Sequence, residues 1–203
     1  MIAAGKYLWM APVKVRYYLA MICGTAANLA APMAWAGATD PNPDPPAPAA
    51  SAAEQYSIAQ SPLAAQEAAL RTTLAHTAAV IARSGTALEL WYPVRLAFVP
   101  DGTELLPTGV AMLDLLAHSL REYEHTEIVV VVYTDAIGSS DFNLQQSQTR
   151  AAAVVAYLEA KGVAPARLVA RGAGKSAPLE APNTPEGRDL NRRLQVVITP
   201  LSS

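Results

Sequence analysis

An uninterrupted run of apolar, mostly β-branched side chains in the second half of the chain places the strongest constraint on its fold. Residues Ile128–Tyr133 read IVVVVY, a composition typical of a strand buried at the centre of a sheet. Helix-type and strand-type segments alternate on both sides of this run, which indicates a sheet covered by helices. The sequence therefore predicts an α/β domain, an α+β sandwich in which two main helices pack on a mixed sheet of about four strands.

The flanking segments supply the other elements of this sheet. Three further strands are predicted, at Ala87–Phe98, Leu168–Arg171 and Leu194–Thr199. Two helices are predicted, over Thr108–Tyr123 and from Asp141 to Lys161. Pro93 has no backbone N–H and should break or bend the first strand. Asp141 is suited to cap the second helix, and Gly162 is suited to end it.

The N-terminus has the features of a secretory signal. Its first sixteen residues include three basic ones, Lys6, Lys14 and Arg16. The segment Tyr17–Ala31 that follows is uncharged, and Ala34-Trp35-Ala36 supplies the small residues of a cleavage site. Residues 1–36 are therefore predicted to be a signal peptide. Its basic front is long, which makes Met10 a second candidate for the first residue.

An uncleaved membrane anchor is the alternative for the same segment. The uncharged run extends from Tyr17 to Thr39, which is long enough to cross a bilayer as a helix. Ile22 precedes the single cysteine, Cys23, and this argues against a lipoprotein signal, which requires a small residue there. Cleavage places the protein in the periplasm or at the outer membrane, whereas an uncleaved anchor places it at the inner membrane.

Two accessory segments follow, a Pro/Ala-rich linker over 37–61 and a helix over 62–84. Residues 40–50 read DPNPDPPAPAA, which favours an extended polyproline II spacer of roughly 30 Å, although an ordinary disordered leader fits equally well. Leu63, Leu70 and Thr77 repeat every seven residues, which indicates a helix that packs on the domain or, less favoured, on another copy. Residues 51–84 are also a candidate surface for an envelope protein partner.

The charge balance excludes one class of partner. The chain carries 15 basic and 17 acidic side chains, for a net charge of −2, whereas a nucleic-acid-binding domain is expected to be basic. Loss of residues 1–36 removes three basic residues and gives 12 − 17 = −5, so recognition must come from a specific site. The three histidines are scattered and no Cys/His cluster exists, so no metal or cofactor is predicted.

Two motifs give the chain a family resemblance. Residues 133–138 read YTDAIG, and Asn143, Ser147, Arg150 and Ala151 follow at fixed intervals. This order is similar to the T-D-x-x-G and N-x-x-L-S-x-x-R-A signature of OmpA-like peptidoglycan-binding domains. The segments 171–178 and 183–194 resemble the closing motifs of the same family. Over residues 86–200 the chain is therefore identified, by resemblance, as an OmpA-like domain.

The resemblance implies a function and a set of ligand-binding residues. Members of the family bind the peptide stem of peptidoglycan noncovalently, typically at diaminopimelate, and so tether themselves or a partner to the cell wall. The residues that match the ligand-binding positions are Thr134, Asp135, Asn143, Arg150 and Arg193, with Arg192 as an alternative to Arg193. Two departures bear on affinity, Val132 in place of the usual glycine and Gln146 in place of the usual leucine.

The chemistry of Asp135 and Arg150 fits this ligand. Diaminopimelate ends in an ammonium and a carboxylate on one carbon, so one fixed anion and one fixed cation can hold it. Asp135 would accept from the ammonium, and Arg150 would donate two parallel hydrogen bonds to the carboxylate. A lysine stem lacks that carboxylate and would leave Arg150 unpaired. Sequence spacing alone does not bring the two side chains together, because Arg150 lies about 13 Å along a helix that begins at Asp141.

Other functions are less consistent with these residues. Hydrolysis of peptidoglycan needs a metal, a Cys–His pair or two flanking carboxylates, and no such arrangement is recognisable, so no enzyme is predicted. A component of a larger envelope machine, stator-like or secretion-associated, and an interaction scaffold that has lost peptidoglycan binding remain alternatives. Arg188 and Arg192 are also suited to pin the last strand by pairing with carboxylates such as Asp189.

Overall fold

The structure, a computed structural model, describes residues 62–201. The predicted signal peptide at 1–36 and the predicted linker at 37–61 lie outside the described residues. Within 62–201, none of the helices has both the length and the apolar character needed to cross a membrane.

Strands and helices alternate along the described chain. The strands are β1 (Val80–Ser84), β2 (Ala87–Pro93), β3 (Thr126–Tyr133), β4 (Leu168–Gly174) and β5 (Arg193–Pro200). The α-helices are α1 (Pro62–Thr73), α2 (Val94–Ala97), α3 (Pro107–Glu122), α4 (Ser140–Ala160) and α5 (Pro185–Asn191), and a short 3-10 helix spans Pro165–Arg167.

The strands form one mixed sheet in the order β1-β2-β5-β3-β4. All neighbours are antiparallel except β3 and β4, which are parallel and are joined through α4. The predicted fold class is confirmed. The sheet has five strands in the described region rather than about four, and β1 is the strand that the sequence did not indicate.

The predicted helix over 62–84 is wrong in its second half. Helix α1 ends at Thr73, and Val80–Ser84 pairs with β2 instead. Gly85 adopts a φ of 58° in the two-residue turn between Ser84 and Ala87, a conformation that glycine reaches without strain. Gly85 is therefore the turn of a hairpin and does not separate the domain from what precedes it.

A single face of the sheet carries most of the core. Along β3, Ile128, Val130 and Val132 are all 0% exposed, and they belong to one core with buried side chains of α1, α3 and α4. Leu63, Leu70 and Leu74 are buried in the same core, so α1 is part of the domain. The departure at position 132 thus adds a valine to the core on the helix side of the sheet.

Helix α4 lies close against the edge strand β4. The side-chain amide of Gln148 accepts from the N–H of Gly172 at 2.6 Å and donates to the carbonyl of Ala170 at 3.3 Å. The Ser147 hydroxyl accepts from the N–H of Gly174 at 2.9 Å. A Cβ on Gly172 would lie 2.4 Å from the backbone nitrogen of Gln148, so this approach requires glycine.

Two local boundaries differ in detail from the sequence prediction. Pro93 does end its strand, and the short helix α2 replaces the remainder of the predicted strand at Ala87–Phe98. The cap of α4 is Ser139, whose hydroxyl accepts from the N–H of Phe142, so the prediction of Asp141 as the cap is wrong. Asp141 lies in the first turn, where its charge is favoured by the helix dipole.

Candidate functional site

The candidate site begins where β3 ends. Thr134 continues the line of the strand, because its N–H donates to the carbonyl of Gly174 at 2.8 Å. Its side chain is 6% exposed, and its hydroxyl donates to the carbonyl of Asp135. Asp135 is therefore the first residue to leave the sheet. Its carboxylate lies at the end of the strand, in the loop that leads to α4.

The carboxylate of Asp135 has a donor on each oxygen. Oδ1 accepts from the N–H of Ile137 at 3.0 Å, which closes a local turn. Oδ2 accepts from Nη1 of Arg192 at 2.5 Å, and the Asp135 side chain is 12% exposed. Arg192 also pairs with the carboxylate of Asp189. The three side chains form a cluster of two anions and one cation, with a net charge of −1.

Asn143 fixes the loop that carries Asp135. Its side chain is 4% exposed, and its amide nitrogen donates to the carbonyls of Ile137 at 2.7 Å and Ser139 at 3.0 Å. Gly138, between these two carbonyls, has a φ of 88°, which favours glycine. These bonds give Asn143 a bracing role in the loop, and its predicted contact with a ligand stays a prediction.

Arg150 is buried on the inner face of α4, with 5% of its surface exposed. Its Nε donates to the carbonyl of Gly102 at 2.8 Å, and its guanidinium lies 5.5 Å from the centroid of the Phe98 ring. Burial lowers the pKa of Arg150, and the nearby Asp101 opposes that shift. Among residues 62–201, neither Nη of Arg150 has a hydrogen-bond partner or an ion pair.

The loop after α2 closes this side of the site. Gln146, one turn before Arg150, donates from its side-chain amide to the carbonyl of Asp101 at 3.3 Å. The polar residue that replaces the usual leucine therefore contacts this loop and does not pack against the sheet. Gln146 and Arg150 together hold the backbone at Asp101 and Gly102 against α4.

Helix geometry directs the Arg150 side chain toward the N-terminal end of α4, which follows the Asp135 loop. The Cα of Arg150 lies ten residues beyond the start of α4 at Ser140, about 15 Å along the axis. Side chains on a helix slant toward its N-terminus, so the guanidinium lies nearer to the loop than its Cα does. Asn143 is two turns before Arg150 and is buried on the same face. It links that face to the Asp135 loop.

Arg193 lies against Tyr133, the last residue of β3. It is 3% exposed, and its guanidinium lies 3.6 Å from the centroid of the Tyr133 ring. Its two terminal nitrogens donate to the carbonyls of Asn191 and Ala177 at 3.4 Å and 3.1 Å. Arg193 thus fastens the start of β5 to the end of β3, and its predicted ligand contact stays a prediction.

Two features of the site had little or no sequence signal. The pairing of Arg192 with Asp189 was expected, because the residues are neighbours in sequence. Its pairing with Asp135 joins residues 57 positions apart and could not be inferred from spacing. The second feature is the exposure of Ile137, in the Asp135 loop, and of Phe142, in the first turn of α4, at 65% and 59%.

Comparison with known proteins gives one family. A sequence profile of the OmpA family matches residues 97–192. The chain is 35% identical over 136 residues to the probable lipoprotein YiaD of Escherichia coli strain K12, an alignment that covers 67% of this chain and 62% of that protein. It is 36% identical over 103 residues to the peptidoglycan-binding protein ArfA of Mycobacterium tuberculosis strain H37Rv, with 51% and 32% covered.

The fold is also found among solved structures. A putative MotB like protein from Desulfovibrio vulgaris superposes with a TM-score of 0.65 at 23% identity, over 73% of this chain and 97% of that one. This likeness concerns the fold alone. The chain spans less than two thirds of the length of each of the two curated relatives.

Proposed function

Because residues 97–192 belong to the OmpA family, we propose that this chain binds peptidoglycan noncovalently through the diaminopimelate of its stem peptide. Binding would tether the chain, or a protein attached to it, to the cell wall. One relative is named as a peptidoglycan-binding protein, which supports binding rather than catalysis. The predicted signal segment at 1–36 supports a location in the periplasm or at a membrane of the envelope.

The incomplete pairing of Arg150 is the observation that carries the proposal. A buried guanidinium is stable only when its N–H groups have acceptors. In this chain Arg167 is 8% exposed, and all three of its nitrogens donate to acceptors at 2.8 Å. Arg150 has an acceptor for Nε only. Its two terminal nitrogens are thus available for a carboxylate, which can accept two parallel hydrogen bonds.

The Asp135 cluster supplies the complementary charge. The net charge of −1 on Asp135, Arg192 and Asp189 favours an ammonium group, and each Asp135 oxygen retains a free lone pair. The donors from Ile137 and Arg192 hold the carboxylate in one orientation before the ligand arrives, which lowers the entropy cost of binding. An ammonium would share Asp135 with Arg192.

An anionic cluster at Asp135 together with a cationic Arg150 favours diaminopimelate over lysine. Both residues carry a terminal ammonium, but only diaminopimelate has a carboxylate on the same carbon. A lysine stem would cover Arg150 and leave its terminal nitrogens without an acceptor, which costs more than leaving them in water. We therefore expect diaminopimelate-type peptidoglycan to bind at least tenfold more tightly than the lysine type.

The test is co-sedimentation of the purified full chain with diaminopimelate-type peptidoglycan. Binding by the wild type is expected, and Asp135→Ala or Arg150→Ala should each weaken it by about 2 kcal/mol or more, roughly thirtyfold. Peptidoglycan of the lysine type, measured alongside, reports on the role of Arg150.

Arg121→Ala is the matched control, because Arg121 is an exposed arginine in the last turn of α3. It should bind as the wild type does, which excludes a general effect of charge. Circular dichroism shows whether each variant is folded. Wild-type protein that does not sediment, or folded variants that bind undiminished, would contradict the proposed function.

A further inference from the structure

Three large apolar side chains are exposed in the Asp135 loop and the first two turns of α4. Ile137, Phe142 and Leu144 are 65%, 59% and 51% exposed, and they lie within eight consecutive residues. Elsewhere in residues 62–201, the exposed large apolar side chains are scattered: Leu115 lies in α3, Val169 in β4 and Leu201 just after β5. Large apolar side chains grouped on a soluble domain mark a contact surface.

The hydrogen bonds of the loop hold this group in a fixed position. The N–H of Ile137 donates to Asp135, and its carbonyl accepts from Asn143. The N–H of Phe142 donates to Ser139 in the cap of α4. Ile137 and Phe142 are thus fixed by the loop that carries the proposed ammonium site and by the start of α4, whereas Leu144, two residues beyond Phe142, faces another side of the helix. A ligand bound at Asp135 therefore has Ile137 beside it, because the N–H of Ile137 donates to that carboxylate.

We propose that Phe142, together with Ile137, contacts the glycan strand to which the stem peptide is attached. This inference rests on the proposed function. Two residues separate diaminopimelate from the glycan in a peptidoglycan stem, and two fully extended residues span at most about 7 Å. The stem is too short to take the glycan far from the Asp135 loop.

The polar residues around Phe142 fit a sugar better than a lipid or an apolar protein surface. Ser139, Ser140 and Asp141, which precede Phe142, are all exposed. A pyranose ring presents an apolar C–H face and a rim of hydroxyls, so it suits an aromatic ring set among hydrogen-bonding groups. The charge of Asp141 would oppose an anionic lipid surface.

A comparison of two ligands isolates the contact with the glycan. One is the free tripeptide L-Ala–γ-D-Glu–meso-diaminopimelate, and the other is the same tripeptide on GlcNAc–MurNAc. Affinities for the purified full chain are measured by titration calorimetry. The wild type should bind the disaccharide ligand about fivefold more tightly, and Phe142→Ala should remove that difference while leaving the affinity for the free tripeptide within about twofold.

Two further variants define the result. Phe142→Tyr keeps the ring and should retain the preference for the disaccharide ligand, and Leu115→Ala removes an exposed apolar side chain on α3 and should change neither affinity. Equal binding of both ligands by the wild type, or an equal loss for both in Phe142→Ala, would overturn the glycan contact while the stem site stands. A wild type that binds neither ligand would overturn the proposed function and this inference with it.

Discussion

Arg150 and Arg167 are buried to a similar extent, but they differ in how many hydrogen bonds they make within the fold. Arg167 donates from Nε to the Thr126 carbonyl, from Nη1 to the Leu120 carbonyl and from Nη2 to the Tyr123 carbonyl. It thereby ties the end of α3 to the start of β3. Arg150 makes one such bond. Burial lowers the pKa of both residues, but only Arg167 has its desolvation offset by a full set of acceptors.

Methionine should therefore cost much more stability at position 167 than at position 150. Arg167→Met leaves buried carbonyls without donors and should lower the free energy of unfolding by about 3 kcal/mol. Arg150→Met removes a poorly paired buried charge and keeps the packing of the stem. We expect it to lower stability by less than about 1 kcal/mol, or to raise it, while it weakens binding of peptidoglycan by about 2 kcal/mol or more, as Arg150→Ala should.

Urea unfolding at pH 7, followed by circular dichroism, distinguishes the two cases. Arg121→Met controls for the loss of an exposed arginine. An Arg150→Met variant that loses as much stability as Arg167→Met would show that Arg150 serves the fold, and would weaken its assignment to the ligand.

At the residue scale, the sequence predicted the site residues that lie within one motif, but it did not predict the contacts between residues of different motifs. The positions of Asp135 at a strand end and of Arg150 on the following helix came from the motif. The environment of Arg193 and the link between Arg192 and Asp135 depend on how β5 docks beside β3. That docking brings together residues about 60 positions apart, and no local spacing encodes it.

An ion pair between the largely buried side chains of Glu67 and Arg83 joins helix α1 to strand β1. Glu67 accepts from Arg71 within α1 and from Arg83 of β1 at 2.8 Å. Partial burial raises the pKa of Glu67, but the hydrogen bonds and charges of Arg71 and Arg83 more than offset it, so the pKa lies below the ordinary glutamate value of 4.5. Glu67 therefore contributes stability when it is ionised.

The sign of this shift predicts an acid sensitivity. Because the folded-state pKa is depressed, the contribution is complete above the unfolded pKa and is lost as pH falls through the folded pKa. Between pH 6 and pH 3, the wild type should lose about 1 kcal/mol more stability than Glu67→Gln. Unfolding by urea across this range measures the difference, and exposed Glu159 replaced by Gln is the control. Parallel pH curves for the wild type and Glu67→Gln would contradict the prediction.

Helix α1 and strand β1 also show why the helix predicted over 62–84 was partly wrong. The seven-residue spacing of Leu63 and Leu70 did identify a helix, and both are buried at 1% and 0% exposure. The spacing continued by chance to Thr77, which lies between α1 and β1, because periodicity does not reveal a turn of a few residues. The signal that could have corrected it was Gly85, which begins a two-residue hairpin loop before another strand.

At the scale of the molecule, the family match begins at residue 97, but the core begins earlier. Leu63, Leu70 and Leu74 of the N-terminal segment are each at most 2% exposed, and β1 covers one edge of β2. The fold class and most elements followed from alternating patterns in 87–199. The extent of the domain did not, because the first helix and strand carry no family motif.

Deletion of residues 37–86 should therefore damage the domain, whereas deletion of 37–61 alone should not. The longer deletion removes three buried leucines, each worth about 1.5–3 kcal/mol, and bares the edge of β2. We expect a lower thermal midpoint and aggregation, measured by circular dichroism and gel filtration. Equal midpoints for the two deletions would show that α1 and β1 are dispensable.

The Gln148 amide occupies the place that a neighbouring strand's peptide group would take beside Ala170 and Gly172. With both groups occupied, another strand could not complete its hydrogen bonds at β4. Binding to the wall, as proposed above, would hold many copies of the chain along one polymer, at a local concentration that favours strand exchange between molecules. A single side chain would thus help to keep crowded copies independent of one another.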